Sequence, residues 1–279
     1  MTYDVVRPFD PWRSTLCTCP TKYSFNPYTG CAHGCLYCYA TYIPHFHRLR
    51  LKKNLMKHLE RDLRKLPENQ LISMSNSSDP YPPLERERMV TRGCLELMRE
   101  RDVRLLIVTK SDIAARDIDL LSRMRCAVSI TITSTSKNPL EPYAPSPEER
   151  MTALRELHHA GIPTILRLDP IFPFLSENDA LEVVEQCDFV DHVVTSTLKL
   201  RGDSFKKIVS AYPQLERSYR ELYFKKGEKI HNSWYLPVEV RENMLGRVKD
   251  KCRELGVSCA FCREGLEFNA GSCDGSHLI

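Results

Sequence analysis

Residues 104–133, RLLIVTKSDIAARDIDLLSRMRCAVSITIT, decide the fold. RLLIVTK (104–110) is a short apolar run rich in branched residues, and CAVSITIT (126–133) is another. Residues 112–124 between them read as a helix. Strand, helix and strand within about 30 residues make the βαβ unit of a parallel sheet.

The same alternation extends in both directions. KYSFN (22–26), LISMS (71–75), PTILRLD (163–169) and FVDHVVTST (189–197) read as further strands. Helical stretches at 47–66, 85–101, 147–160 and 176–187 separate them. Ser146, Pro147 and the acidic pair after it are a helix start, and Gly161 is a stop. Six such units predict an α/β fold, a partial (βα)6 TIM-type barrel, with a doubly wound open sheet as the alternative. The expected organisation is an N-terminal extension (1–21), the barrel (22–200) and a C-terminal helical, cysteine-bearing extension (201–279).

Composition is that of a globular chain, 42% hydrophobic and 27% charged. MTYDVVRPFDPWRST lacks the apolar core of a signal peptide, and no window is apolar enough for a membrane span, so a cytoplasmic protein is expected. The net charge of +4 is uneven. Residues 47–65 hold eight Lys/Arg against two Asp/Glu, and 199–229 hold nine against four. These stretches read as solvated helix faces or as a basic surface for nucleic acid. The aromatic residues of SYRELYFKKGEK would stack on bases in the second reading and form a buried stripe in the first.

Twelve cysteines are too many to ignore. In a reducing compartment they point to metal or redox chemistry rather than disulfides. Cys94, Cys126 and Cys187 sit alone in apolar contexts and read as packing residues. Cys31, Cys35 and Cys38 fall together in NPYTGCAHGCLYCYA (26–40), the loop after the first strand. Barrel ligands bind at the carboxyl ends of the strands, so this loop lies on the functional rim. A [4Fe–4S] cluster normally takes four thiolates; three leave one iron open. A zinc loop completed by His33 or a distant cysteine is the competing reading.

CAHGCLYC resembles the CxxxCxΦC signature of the radical S-adenosylmethionine (SAM) superfamily, with Tyr37 as the aromatic. SNSSDPYPPLE, RGCLELM, IVTKSDIAARDIDLL, VSITIT, LEPYAPSPEERMTALRELHHAGIPT and DPIFPFL follow in the order of its spore photoproduct lyase-like branch. The resemblance covers about residues 22–200. It implies a [4Fe–4S] cluster on Cys31, Cys35 and Cys38, with SAM on the open iron and Tyr37 near the adenine. Reductive cleavage would give a 5′-deoxyadenosyl radical that abstracts hydrogen from a substrate. Ser75, Asn76, Ser77 and Asp79 then suit the SAM ammonium. Lys110 and Ser111 end the third strand, and Lys110 suits a carboxylate or phosphate. Ser129 and Thr131 share one strand face and suit ribose or carboxylate; Arg167 is a second carboxylate candidate. A one-electron donor such as flavodoxin or ferredoxin is the implied partner.

The tail repeats the cysteine theme. Cys252, Cys259, Cys262 and Cys273 follow C-x6-C-x2-C-x10-C, and Cys17 and Cys19 stand before the first strand. They read as a second metal site, a further [4Fe–4S] cluster or else zinc. Cys259, Cys262 and Cys273 rank first as ligands, then Cys17 or Cys19, with Cys252 lower.

Three functions compete. One is a lyase-like radical SAM enzyme acting on a nucleic-acid base. The second is radical SAM modification of a protein, peptide or small metabolite. The third is a non-enzymatic iron–sulfur or zinc module that binds nucleic acid. LISMSNSSDPYPP holds no cysteine where lesion-repairing members place a hydrogen donor, which counts against dimer repair; a tyrosine such as Tyr81 or a distant cysteine would have to substitute.

Overall fold

The structure, a computed structural model, describes residues 3–9 and 14–279. Residues 1–2 and 10–13 of the N-terminal extension lie outside the described residues. Seven parallel strands run in chain order across one sheet: β1 (Tyr23–Phe25), β2 (Gln70–Met74), β3 (Val103–Thr109), β4 (Cys126–Thr131), β5 (Thr164–Ile171), β6 (His192–Thr197) and β7 (Ser258–Phe261). The two-residue strand Arg7–Pro8 pairs antiparallel to β1 at the edge.

Every crossover adds its strand on the same side. A doubly wound sheet would reverse direction at a switch point; none occurs here, and the partial barrel is the observed architecture. The longer helices are α1 (Leu55–Leu63), α2 (Val90–Arg99), α3 (Pro147–His159), α4 (Glu177–Gln186), α5 (Gly202–Ala211) and α6 (Val238–Glu254).

The two-residue period of the strands sorts their side chains. Ile72, Ile107, Val128, Ile130, Leu166, Leu168 and Val193 join the large core on one face. Leu71, Leu106, Ala127, Ile165 and Val194 form a second cluster on the other face, packed by Leu278 and Ile279. The chain's last residues therefore plug the floor of the barrel. Each fully buried Leu or Ile contributes roughly 1.5–3 kcal/mol.

Local signals hold where nothing opposes them. Ser146 Oγ accepts from Glu149 N–H at 3.2 Å, and Glu149 Oε2 accepts from Ser146 N–H at 2.7 Å, the reciprocal cap of α3. Elsewhere tertiary packing overrides periodicity. In 47–66 only Leu55–Leu63 is α-helical, because Arg50–Leu51 pairs with Tyr28–Thr29 beside the three-cysteine loop. The 85–101 stretch breaks at Met89, which takes φ +47°. Residues 112–124 begin as a 3-10 turn, Asp112–Asp117, before the short helix Ile118–Leu121.

The C-terminal extension does more than add helices. Its SCAF run is β7, which pairs with β6 and extends the sheet. In SYRELYFKKGEK, Tyr219 and Tyr223 are fully buried, so those rings are a core stripe. Cys94, Cys126 and Cys187 are buried in the main core, as expected. Among the described residues, no helix is long and apolar enough to cross a membrane.

Both sheet edges are joined by the chain's ends. Lys22, just before β1, forms a buried ion pair with Asp274, well after β7. Cys19 and Cys273 meet beside it, Sγ to Sγ at 3.3 Å.

Candidate cluster and cofactor site

The loop after β1 is built to hold its thiols inward. Cys31 N–H donates to the Phe46 carbonyl (2.8 Å), Leu36 N–H to Leu140 (2.9 Å) and Cys38 N–H to Cys35 (3.2 Å). Gly30 takes φ +84°, and a Cβ there would sit 2.4 Å from the Arg48 carbonyl oxygen. Glycine alone lets the chain enter the turn that presents Cys31.

Cys31, Cys35 and Cys38 line one cavity of about 500 Å³ at the carboxyl ends of the strands. Burial pushes all three thiols up, Cys31 to about 12. As free thiols they are neutral at pH 7, and a metal loaded there must displace their protons. Three soft donors on one short, enclosed loop fit a [4Fe–4S] cluster with one open corner. His33 does not complete the set as a zinc ligand. Its Nε2 faces Asp79 Oδ2 at 3.2 Å.

Behind the loop lies a charged network. Glu141 is 2% exposed. It accepts from the Tyr37 hydroxyl and from Thr133 Oγ1 (3.1 Å), and pairs with Arg150 Nη2 (2.7 Å) and Lys110 Nζ (3.1 Å). Burial pushes its carboxyl up, but Lys110 and Arg150 more than offset this and hold it well below the usual range. Tyr37 is thereby fixed edge-on to Phe172, centroids 5.0 Å apart. Lys110 Nζ lies 5.5 Å from the Tyr37 ring centre, and its contact with Glu141 is too misaligned for a hydrogen bond. The buried ammonium therefore keeps unused donor capacity, and Lys110 lines the cavity.

Of the residues expected around SAM, Tyr37, Ser75, Asn76, Ser77, Asp79, Lys110, Thr131 and Arg167 all line this cavity. Several are already engaged. Asp79 accepts from Thr109 Oγ1 and Lys110 N–H (both 2.7 Å) and from Tyr81 N–H (2.9 Å), and it faces His33. It braces the loops rather than offering a free carboxylate. Burial raises its pKa while the His33 side chain and these donors lower it further, so the net shift is downward. Ser75 donates to the Ser78 carbonyl, and Asn76 bridges Ser24 Oγ (2.8 Å) and Ser73 Oγ (3.0 Å). Arg167 pairs with Asp169 (2.7 Å) and approaches Cys262 Sγ (3.4 Å).

Two expected residues are not at the cavity wall. Ser111 caps the 3-10 turn, accepting from Ile113 N–H. Ser129 is fully buried in β4, and its hydroxyl has no hydrogen-bond partner among the described residues. Tyr81 is fully buried, away from the cavity and close to Asp117, Arg116 and Glu85.

The remaining cysteines divide. Cys17, Cys19 and Cys262 line the same cavity, and Cys273 touches Cys19. Cys259 does not join them. It lies with Cys252 in the main core. Positions 259 and 262 are three apart on and just after β7, an odd spacing that sends them to opposite faces. The CxxC spacing reads as a chelating pair only off a strand.

Sequence reading missed Glu141 with Arg150, and the pairs Lys199–Glu264 (2.8 Å) and Lys22–Asp274. Each joins residues far apart in the chain, so no local motif announces them.

Comparison with known proteins agrees with this geometry. The model of the Radical SAM superfamily matches residues 25–187, more than half of the chain. An uncharacterized protein of Methanocaldococcus jannaschii is 32% identical over 211 residues, covering 72% of this chain and 78% of that one. A spore photoproduct lyase mutant solved with AdoMet and dinucleoside spore photoproduct superposes with a TM-score of 0.65 at 19% identity, over 92% of this chain and 81% of that one. Streptococcus suis SuiB, solved with the precursor peptide SuiA, superposes at 0.56 with 13% identity, over 85% of this chain and 47% of that one. The two structural likenesses are likenesses of fold.

Proposed function

The chain belongs to the radical SAM superfamily, and from that premise we propose that Cys31, Cys35 and Cys38 hold a [4Fe–4S] cluster that activates SAM against a nucleic-acid base or nucleotide. The observation that carries this reading is that Cys31, Cys35 and Cys38 line one cavity together with Tyr37 and Lys110. A cluster bound there supplies the electron, drawn from a donor such as flavodoxin or ferredoxin, that cleaves SAM to the 5′-deoxyadenosyl radical.

The chain's own residues do the positioning. Tyr37, locked by Glu141, offers an aromatic wall for adenine. Lys110 offers a buried cation for the SAM carboxylate. Thr131 adds a hydroxyl on the same wall. The fold likeness to an enzyme solved with a dinucleoside lesion supports the substrate class.

One observation favours a second reading, modification of a peptide or small metabolite. The cations Lys22, Arg167 and Lys199 of the cavity are paired with Asp274, Asp169 and Glu264. Such pairing weakens the field that phosphates would feel.

The test is 5′-deoxyadenosine release by reduced, anaerobically reconstituted protein, with and without oligonucleotides, beside oligonucleotide binding at two salt concentrations. Stimulation of release, with affinity falling steeply as salt rises, is expected. Release that ignores nucleic acid, with no binding at either salt, refutes the substrate class and favours the second reading.

A further inference from the structure

Four cysteines outside the CxxxCxxC loop are brought together by the closure of the sheet. Cys17 and Cys19 precede β1, Cys262 follows β7 and Cys273 lies in the tail. Cys19 Sγ is 3.3 Å from Cys273 Sγ, and Cys17 lines the cavity beside it. Cys262 stands on the adjoining wall, close enough to act electrostatically on Cys17, Cys19 and Cys273.

We infer that Cys17, Cys19, Cys262 and Cys273 form a second cluster site, which takes a [4Fe–4S] cluster ligated by cysteine at all four corners. Ligand number is the first argument, since four thiolates saturate such a cluster. Spacing is the second. Among the described residues, no three His, Cys, Asp or Glu side chains converge as ligands of a single metal ion. Cys19 and Cys273 are in contact while Cys262 stands apart from them, and a four-iron cluster, larger than one zinc ion, reaches all four once Cys19 and Cys273 part around it.

Charge is the third argument. Four thiolates around a cluster leave a net negative group in a poorly hydrated place. Lys22 is 5% exposed and lies beside Cys19; Arg167 Nη2 is 3.4 Å from Cys262 Sγ. Lys22 and Arg167, which are also paired with Asp274 and Asp169, offset the anion in part.

Saturation assigns the chemistry. With no open iron, this centre binds neither SAM nor substrate. It takes one electron from a reductant and passes one on, and no bond is made or broken. It would face the first cluster across the cavity. Tyr39, Cys38 and Cys262 line that same cavity. The site would also fasten the two sheet edges, because its ligands come from both.

The test is iron and sulfide content after anaerobic reconstitution of four full-length proteins. Wild type should hold about eight irons, the Cys31→Ala/Cys35→Ala/Cys38→Ala variant about four, Cys19→Ala/Cys273→Ala about four, and Cys252→Ala/Cys259→Ala about eight. The triple variant is decisive, because its second site is intact. Reduced with dithionite, it should show the paramagnetic signal of a one-electron-reduced [4Fe–4S] cluster. A triple variant without iron, or with one zinc per chain, overturns the inference, as does a Cys19/Cys273 variant that keeps eight irons. The inference stands apart from the SAM reading, whose failure would appear instead as no loss of iron on removing Cys31, Cys35 and Cys38.

Discussion

Replacing Gly30 by alanine isolates what the cluster loop demands of its backbone. Two costs add. At φ +84° an L-residue is strained by roughly 1–2 kcal/mol. The new Cβ would also lie 2.4 Å from the Arg48 carbonyl oxygen and 2.7 Å from that of Phe46. The Phe46 carbonyl accepts the Cys31 N–H, so relieving the clash breaks a buried hydrogen bond, at about 1–3 kcal/mol for the unsatisfied groups. Gly161 supplies the control. It has φ +76° and nothing within 4 Å of where a Cβ would stand, so Gly161→Ala carries the strain alone. Urea unfolding of the metal-free proteins should place Gly30→Ala at ~2–5 kcal/mol below wild type and Gly161→Ala at ~1–2. Iron retained after reconstitution should fall in Gly30→Ala and stay constant in Gly161→Ala. Equal destabilisation of the two variants, within about 0.5 kcal/mol, would refute the argument that the loop's close approach, and not its φ angle, makes Gly30 necessary.

Two further perturbations address the scaffold. Glu141→Ala strands Arg150 and Lys110 as buried, uncompensated cations, and should cost ~3–5 kcal/mol in urea unfolding; a loss below about 1 kcal/mol would show that water or other groups already serve them. His192 is fully buried beside Ser258 and His277, with Asp274 nearby; burial and His277 hold it down at about 4, against an ordinary value of 6.5. The unfolded chain therefore binds the proton first, and stability should fall by about 3 kcal/mol as pH drops from 6.5 to 4. The Asp274 and Glu141 carboxyls, held below the usual carboxylate range, begin to lose their contribution only as pH falls past their ordinary values of about 4, at the acid end of this window. His192→Phe should flatten the slope between pH 4 and 6.5, and an unchanged slope would assign it to other groups.

What was legible in the chain follows from how locally it is encoded. CAHGCLYC places three thiols on one loop by its own spacing, and the structure keeps them on one cavity with Tyr37, Lys110 and Thr131. The alternation of strand and helix is equally local, and strands β1 to β6 appear where the apolar runs stand. β7 was hidden because SCAF is short, and the CxxC spacing that begins in it suggested a chelate. Only the strand's two-residue period reveals that Cys259 turns to Cys252 while Cys262 turns to the cavity. The meeting of Cys19 with Cys273 spans 254 residues, and that of Tyr37 with Glu141 spans 104. Contacts of that kind depend on how the sheet closes, which no short window of sequence records.

The three-cysteine loop as radical initiator is tested most directly by 5′-deoxyadenosine formed from SAM per chain, under reduction, by wild type and by the Cys31→Ala/Cys35→Ala/Cys38→Ala variant. Wild type should release it, and the variant should release none above background, whatever iron the variant retains at Cys17, Cys19, Cys262 and Cys273. Release by the variant equal to that of wild type, or no release by a wild type that holds a reducible cluster on Cys31, Cys35 and Cys38, would contradict that role.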